Sequence, residues 1–435
     1  MSLSLYVGID IGKFSHVASL ISPKLLFKHH RYEACPTLAF EQSRSGFEKL
    51  LSALTEHAPA PACHVLLENT GHYGRAIEQY LQEKGVQVYR ISVSTEKRGK
   101  QKSDKRDAQA LAVLLYNQIE RHIIVTDKSQ IAHKLVPPSD TARLLHGLVQ
   151  HRLELVHETT RRKNKLTAIC DELFPELTQV YADPNTPSAL QLREKYPTPQ
   201  AVASADLEDL CNTRKHHRPS KAKLAELQDL ARSTIGTKDQ SRLTCLLIEQ
   251  RQLMKELTLL NEHIEALNVE ISKAVSTSRE GRILTSFPMI GPIHAAVLIA
   301  AIGTIANFES IAKLRGYCGW SPLQQQTGTS KDSMILQPAG NRLLKHTIYL
   351  ITLQAIHMDT PFKALYDRLV PIKCHYDERT QRYRGKMKVI GRVAGQIIKL
   401  IYVLLRRDHD LIAGTDGGQV PDPELYDPIK HKIKR

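Results

Sequence analysis

Several things are missing from this 435-residue sequence, and each absence closes a route. Its seven cysteines include no C-x-x-C pair and no regular spacing, so neither a zinc ribbon nor a disulfide framework is indicated, and a reducing, cytoplasmic setting is expected. No positively charged leader opens the chain. The most apolar stretch, "MIGPIHAAVLIAAIGTIANF", is broken by Gly, Pro, His and Asn, so neither secretion nor a membrane span is expected. No internal repeat recurs. Acids are in deficit, with 45 Asp and Glu against 60 Lys and Arg, which leaves a formal charge of +15. That excess favours a polyanionic partner over a neutral metabolite; solubility alone explains it less well, because the basic residues cluster. What remains is a chain with 42% hydrophobic residues, able to bury a core and long enough for two to three domains.

Residues 5 to about 125 read as α/β, with strands near "LYVGIDI", "HVASLIS", "HVLLEN" and "VQVYRIS" and helices near "GFEKLLSALTEH" and "GRAIEQYLQEKG". That order suits an RNase H-like sheet. From about 140 to 177 the pattern turns helical and basic, with Leu148, Leu155, Ile169 and Leu173 on an apolar side and Arg161, Arg162, Lys163 and Lys165 in a cluster. Those cations serve either phosphate contact or plain solvation. A Pro-rich, polar stretch from 182 to 221 reads as a linker or inserted loop, and His216 and His217 within it read as surface or backbone-contacting groups before metal ligands.

Leu243, Leu246, Gln250, Leu253, Leu257, Leu260, Ile264, Leu267 and Ile271 then alternate three- and four-residue steps, a heptad seam with one polar position. Its partner is either the basic helix of the same chain or a second copy, and a coiled-coil hairpin that also supports dimerisation accommodates both. From 281 to 411 the chain is mainly helical. "ILTSFPMIGPIHAAVLIAAIG" resembles a helix-hairpin-helix, whose turn amides grip a DNA phosphate. An amphipathic helix, "VIGRVAGQIIKLIYVLLRR", closes the fold, and a Gly-, Pro- and Asp-rich tail from 412 to 435 is expected to be disordered.

The opening strand, "YVGIDIGK", carries an acid, Asp10, on the face opposite Val7 and Ile9. Beside a core, that carboxylate needs a compensating partner. Three more acids stand in comparable places. Glu68 ends the run "HVLLEN" at the edge where α/β sheets carry their sites, and Asp104 and Asp107 lie one helical turn apart at a helix start in "KSDKRDAQALA". Taken singly, each has a structural explanation, since helix N-termini favour acids and Ser103 or Asp104 can simply be the cap. Together, two strand-borne acids and an i, i+3 pair can converge on a two-metal site for phosphoryl transfer, where Mg²⁺ neutralises their mutual repulsion. Mn²⁺ suits the same all-oxygen set. "GIDIG" also looks like the first phosphate loop of the actin and sugar-kinase fold, but no second phosphate loop or Gly-rich adenosine motif follows.

The motifs "GIDIGK", "LLENTGHYG", "KSDKRDAQALA", "SFPMIGPIHAAVLIAAIG", "FESIAKLRGYCGWSP" and "PAGNRLLKHTIYL" occur in the order seen in DEDD transposases of bacterial insertion sequences. That group includes bridge-RNA-guided recombinases and Piv-type invertases, and the resemblance covers nearly the whole chain. It implies a RuvC-like domain over 1–130, a basic helix, linker and coiled coil over 140–280, and a C-terminal transposase domain over 281–411. It also implies that Asp10, Glu68, Asp104 and Asp107 are catalytic metal ligands, and that a hydroxyl in the last domain attacks DNA to form a covalent ester, so that strands exchange without free ends. DNA, a structured guide RNA and a homodimer or homotetramer are the implied partners.

Most members of that family carry a Ser-Gly pair where this chain has "GWSPLQQQTGTSKDSM", so the matching residue is Thr327 before Gly328. Threonine is a competent nucleophile once activated, though its methyl crowds the approach. Ser330 in a shifted loop, or loss of activity, are the competing explanations. Arg342 and Lys345, one turn apart, would then face the attacked phosphate or simply solvent. A metal-dependent nuclease or junction resolvase needs the acids but no hydroxyl. A non-catalytic nucleic-acid-binding protein needs neither.

Overall fold

The computed structural model describes residues 4–68, 71–91, 103–123, 132–211, 219–327, 331–336, 339–415 and 418–431, with the backbone path alone at 323–327 and 331–335. His216, His217 and Ser330 lie outside the described residues. The chain divides into two compact units, Met1–Pro137 and Pro138–Arg435.

The first unit runs β1 (Leu5–Ile11), β2 (Ser15–Ile21), α1 (Pro23–His29), β3 (Thr37–Glu41), α2 (Arg44–Thr55), β4 (Cys63–Glu68), α3 (Arg75–Glu83), β5 (Gln87–Ile91), α4 (Asp104–Ile119) and β6 (His133–Lys134). Its sheet has the order β3-β2-β1-β4-β5-β6; β1, β4 and β5 are parallel, and β2, β3 and β6 pair antiparallel with their neighbours. The two-residue side-chain period of β1 sorts its faces. Leu5, Val7 and Ile9 join the core with Leu50 and Leu54 of α2 and Ile77 and Leu81 of α3, while Tyr6 packs with Leu66, Tyr89 and the α4 residues Leu111 and Leu115. Helices therefore cover both faces, and β1 is buried nearly throughout, as a central parallel strand must be. The two strands beyond the expected four, β3 and β6, are edge pieces; β3 buries only Phe40, so no apolar alternation betrays it.

The second unit begins with α5 (Asp140–Leu173), followed by α6 (Leu177–Val180), α7 (Pro187–Lys195), α8 (Pro199–Ser204), α9 (Leu207–Cys211), α10 (Lys221–Arg232) and α11 (Gln240–Thr277). The Pro-rich stretch expected as a linker is, in its described residues, helical. Pro187 and Pro199 sit at first-turn positions, where a missing N–H costs nothing, and Thr186 and Thr198 cap the helices they open. Leu177, Leu192, Val202, Leu210, Leu224 and Leu227 give this small bundle a core of its own, shared with Cys170 and Phe174 at the end of α5.

α5 and α11 lie antiparallel, because contacts climb one helix as they descend the other. Arg152 donates to Asn268 (2.7 Å), Arg162 to Glu256 (2.8 Å) and Arg242 to Glu172 (2.6 Å). Leu166 and Ile169 meet Leu246, Leu253 and Leu257 between them, whereas Leu260, Ile264 and Leu267 of the same seam stay half-buried. Gln250, the polar seam position, has a partner. The buried Arg193 of α7 donates to its Oε1 at 3.1 and 2.8 Å and to the Leu166 carbonyl at 2.9 Å, which locks the small bundle onto the helix pair.

The chain then continues through α12 (Arg279–Thr285), α13 (Pro292–Ile302), α14 (Ile311–Tyr317), β7 (Pro322–Thr327), β8 (Lys331–Leu336), α15 (Arg342–His357), α16 (Pro361–Lys373), β9 (His375–Asp377), β10 (Arg382–Arg384) and α17 (Met387–Ala413). A core of α13, α15 and α17 residues takes in Leu145 and Val149 of α5 and Ile271 and Val275 of α11, so the helix pair is rooted in it.

The tail expected to be disordered is instead docked through its described residues. Tyr426 stacks on Phe287 with ring centroids 4.3 Å apart and donates its N–H to Ser286 (2.8 Å). The tail's acids find cations, Asp422 at Arg282 (3.0 Å) and Glu424 at Arg407 (2.8 Å). Gly and Pro content argued for disorder, but one aromatic anchor and two ion pairs outweigh the chain entropy of a short segment. Tyr426→Ala removes the anchor at a cost of roughly 2 kcal/mol or more to the docked state. Limited proteolysis under native conditions should clip the variant's tail well before the wild type's; equal rates would mean the tail is not held by this contact.

Candidate functional site

The first unit gathers the four acids, and one glycine explains how. Gly8 lies two residues before Asp10, on the same face of β1. A Cβ there would stand 2.2 Å from the Ala108 carbonyl oxygen and 2.3 Å from the Ala112 nitrogen, both α4 backbone atoms. The helix therefore rests directly on the strand, and only glycine permits so close an approach. That contact brings the N-terminal turn of α4, with Asp104 and Asp107, beside Asp10. Ser103 is the cap, accepting from the Arg106 amide at 3.4 Å, which leaves the Asp104 carboxylate for other work.

Glu68 arrives by register. Ile9 pairs with Leu67 in the parallel β1–β4 ladder, so the next residues, Asp10 and Glu68, end neighbouring strands side by side. Half-buried Asp10 feels all of them. Burial, then the charges of Asp104, Asp107 and Glu68, push its carboxyl up to about 6, against one opposing backbone hydrogen bond at Ile11. Among the described residues, no basic side chain figures in the groups acting on it. An all-oxygen donor set carrying this much negative charge fits a divalent cation. Among the described residues, no three of the acids are drawn in tightly enough to enclose an ion. They share a face and an electric field, and closing them further costs repulsion that only a cation offsets.

Sequence reasoning missed Gly8, whose signal was a glycine inside an otherwise mostly apolar strand. It also missed His16 and Gln42. His16 accepts from the Gly12 amide (3.3 Å) and bonds Gln42, whose amide donates to the Tyr73 carbonyl (3.0 Å). Burial lowers the imidazole's pKa and keeps it neutral for this role. The β1–β2 turn is thereby tied to the loop that follows β4.

Thr327, Arg342 and Lys345 lie in the second unit. Thr327 is the last residue of β7, paired with Lys331 across the hairpin. Exposed Arg342 opens α15, which Asn341 caps through the Leu344 amide (3.1 Å). The "RGYCGWSP" and "PAGNRLLK" stretches meet at two glycines with positive φ: a Cβ on Gly340 would fall 2.7 Å from the Gly319 backbone. The Trp320 indole donates to the Lys345 carbonyl (3.1 Å), so the exit of α14 and the entry of α15 are fixed together around the β7–β8 hairpin. In the basic cluster, Arg161 and Arg162 pair with Glu158, Arg162 also with Glu256, and Lys165 with Glu249. Arg162 and Lys165 thereby stitch α5 to α11, whereas the Arg161 pair lies within α5. Lys163 is exposed and makes no ion pair among the described residues.

With this geometry in place, comparison with known proteins is decisive. Residues 7–175 match the transposase domain of the IS110 DEDD type, and residues 281–367 match the transposase domain of the IS116/IS110/IS902 family, together more than half of the chain. The chain belongs to the IS110/IS116 transposase family. It is similar to the 43.6 kDa protein of insertion element IS110 from Streptomyces coelicolor, 25% identical over 93% of this chain and 94% of that protein. The 44.8 kDa protein of insertion element IS116 from Streptomyces clavuligerus is 22% identical over 62% of this chain and 65% of that protein. The 42 kDa protein of insertion element IS900 from Mycobacterium paratuberculosis is 25% identical over 72% and 73%. The chain is thus an insertion-sequence transposase, an enzyme acting on DNA, and its DEDD type points to a divalent metal. Among the described residues, no helix is long and apolar enough to cross a membrane.

Two expectations follow from the acid cluster. Gly8→Ala forces α4 off β1; overpacking of this kind costs about 1–3 kcal/mol, and urea unfolding should register it. For Asp10, the folded value near 6 exceeds the ordinary one near 3.9, so the metal-free fold holds an extra proton in that window and loses stability as pH rises through it. Asp10→Asn should therefore be the more stable protein above pH 6 without metal, with the gap closing towards pH 4. Thermal melts across pH test this; a gap that does not change with pH would refute it.

Proposed function

We propose that this transposase cuts and rejoins DNA through a covalent ester on Thr327, with Asp10, Glu68, Asp104 and Asp107 as ligands of Mg²⁺ in an RNase H/RuvC-like domain. The observation that carries the reading is the field on Asp10: three other carboxylates, from β4 and α4, act on it at once. The sheet order, with a central parallel β1–β4–β5 trio flanked by an antiparallel hairpin, supports the RuvC-like assignment. When bound, the metal polarises the scissile phosphate and neutralises charge developing on the leaving oxygen.

The residues of the chain divide the remaining work. The Thr327 hydroxyl attacks phosphorus and forms the new P–O ester; the bond to the DNA leaving oxygen breaks, and that oxygen takes a proton as the threonine loses its own. The released hydroxyl of a second strand reverses the exchange, so no high-energy cofactor is consumed. Arg342, at the start of α15, and Lys345, one turn on, supply positive charge for the attacked phosphate. The α12–α13 turn, of helix-hairpin-helix type, adds backbone amides for a second phosphate. A structured RNA would provide target choice, and the net charge of +15 supports an RNA partner as well as DNA. The half-buried seam at Leu260, Ile264 and Leu267 supports a coiled-coil contact between copies.

The metal-dependent nuclease remains the second reading, because the acid cluster is complete without Thr327. Denaturing gels of protein incubated with substrate DNA separate the two. The transposase reading expects a denaturant-resistant protein–DNA adduct that Thr327→Ala abolishes, because no side-chain oxygen is left to form the ester, that Asp10→Asn sharply reduces, and that Thr327→Ser retains. An adduct lost only in Ser330→Ala reassigns the nucleophile, and cleavage with no adduct in any variant favours the nuclease.

A further inference from the structure

The β9–β10 hairpin between α16 and α17 belongs to none of the machinery above. It is a two-stranded ribbon in which Tyr376 pairs with Tyr383 and Arg384 with His375, and no residue from 371 to 388 is buried. A ribbon of this size with no fully buried residue among those described is marginal by itself. Two internal devices hold it. Tyr376 and Tyr383 meet edge-to-face across the strands, centroids 5.0 Å apart, and the Asp377 carboxylate accepts the Arg379 and Thr380 amides at 3.1 and 3.3 Å while pairing with Arg384.

The charge is one-sided. Between 373 and 388 the sequence has six Lys and Arg against two acids, and one of those acids, Asp377, is consumed inside the turn. Arg379, Arg382, Lys386 and Lys388 are all exposed and form no ion pair among the described residues. Strand alternation puts Arg382 and Arg384 on one face and the tyrosine pair on the other. Lysine-studded edges also discourage strand-to-strand aggregation, but that role needs neither the arginine face nor the tyrosine brace that keeps it presented.

We propose that this ribbon and the adjoining start of α17 form a duplex-DNA contact, with Arg382 of the ribbon and Lys386 and Lys388 at the helix start on backbone phosphates. It rests on DNA being the substrate. The major groove of B-form DNA admits a two-stranded β-ribbon, whereas the deep, narrow major groove of A-form RNA does not. Seating the ribbon in a major groove therefore selects DNA, with the cations on the flanking phosphates, and RNA duplex becomes the discriminating control.

The test is equilibrium binding of the full-length protein to a short DNA duplex across a salt series. The triple variant Arg382→Ala, Lys386→Ala, Lys388→Ala should flatten the slope of log K against log salt by roughly 2–3, at about 0.9 per phosphate released. A second triple, Lys24→Ala, Lys28→Ala, Lys84→Ala, removes the same charge from the first unit and should leave the slope near wild type. Equal flattening by both triples, or none by the first, overturns the proposal. So does a loss on an RNA duplex as large as that on DNA. Wild-type protein that binds no duplex DNA at low salt would instead sink the DNA-handling reading on which the proposal stands. Circular dichroism and thermal melts of the ribbon variant should match the wild type, since none of the three side chains is buried.

Discussion

The contact between α4 and β1 at Gly8 governs the first unit. Backbone-to-backbone packing at this range leaves no room for a side chain, and it converts two features distant in sequence, a strand and a helix start some hundred residues apart, into one cluster of carboxylates. Burial and the charges of the three neighbouring carboxylates hold the Asp10 carboxyl above the ordinary carboxylate range, so it resists ionisation. Such strain is the usual mark of a site built for a charged ligand. The sheet absorbs it because β1 is otherwise buried among apolar neighbours and clamped from both faces.

The second unit repeats the device with different partners. Gly319 and Gly340 let the exit of α14 and the entry of α15 approach closely, and Trp320 closes the gap through the Lys345 carbonyl. Where the first unit uses the approach to concentrate acids, the second uses it to frame the β7–β8 hairpin that ends in Thr327. The α5–α11 pair contributes reach. Arg162 and Lys165 are matched to carboxylates on the facing helix and Arg161 to one on its own, so much of the basic appearance of α5 is internal to the helix pair, and unbalanced charge is also found elsewhere, as on the β9–β10 ribbon.

Much of the acid site was legible because four acids, each explicable singly, recur in places that can converge: Asp10 in an apolar strand, Glu68 at a strand end, Asp104 and Asp107 one turn apart. The role of Gly8 was not legible, since what excludes a side chain there is a helix a hundred residues away. The Pro-rich segment misled for a related reason. Proline signals a break unless it falls in a first turn, and Thr186–Pro187 and Thr198–Pro199 are helix starts whose partners lie across the bundle. The tail misled because composition counts glycines and prolines without weighing one well-placed tyrosine.

By itself the sequence determined the α/β-then-helical order and the family to which the chain belongs, and singled out the four acids as candidates, because periodicity and ordered motifs are local properties. Tertiary structure alone decided that the acids share one face, that Arg162 and Lys165 of the basic cluster are spent on α11, that Gln250 has a buried arginine to satisfy it, and that the tail is held. Each of these depends on which distant group comes within a few ångströms, and hydrogen bonds, ion pairs and carboxylate repulsion act only at that range.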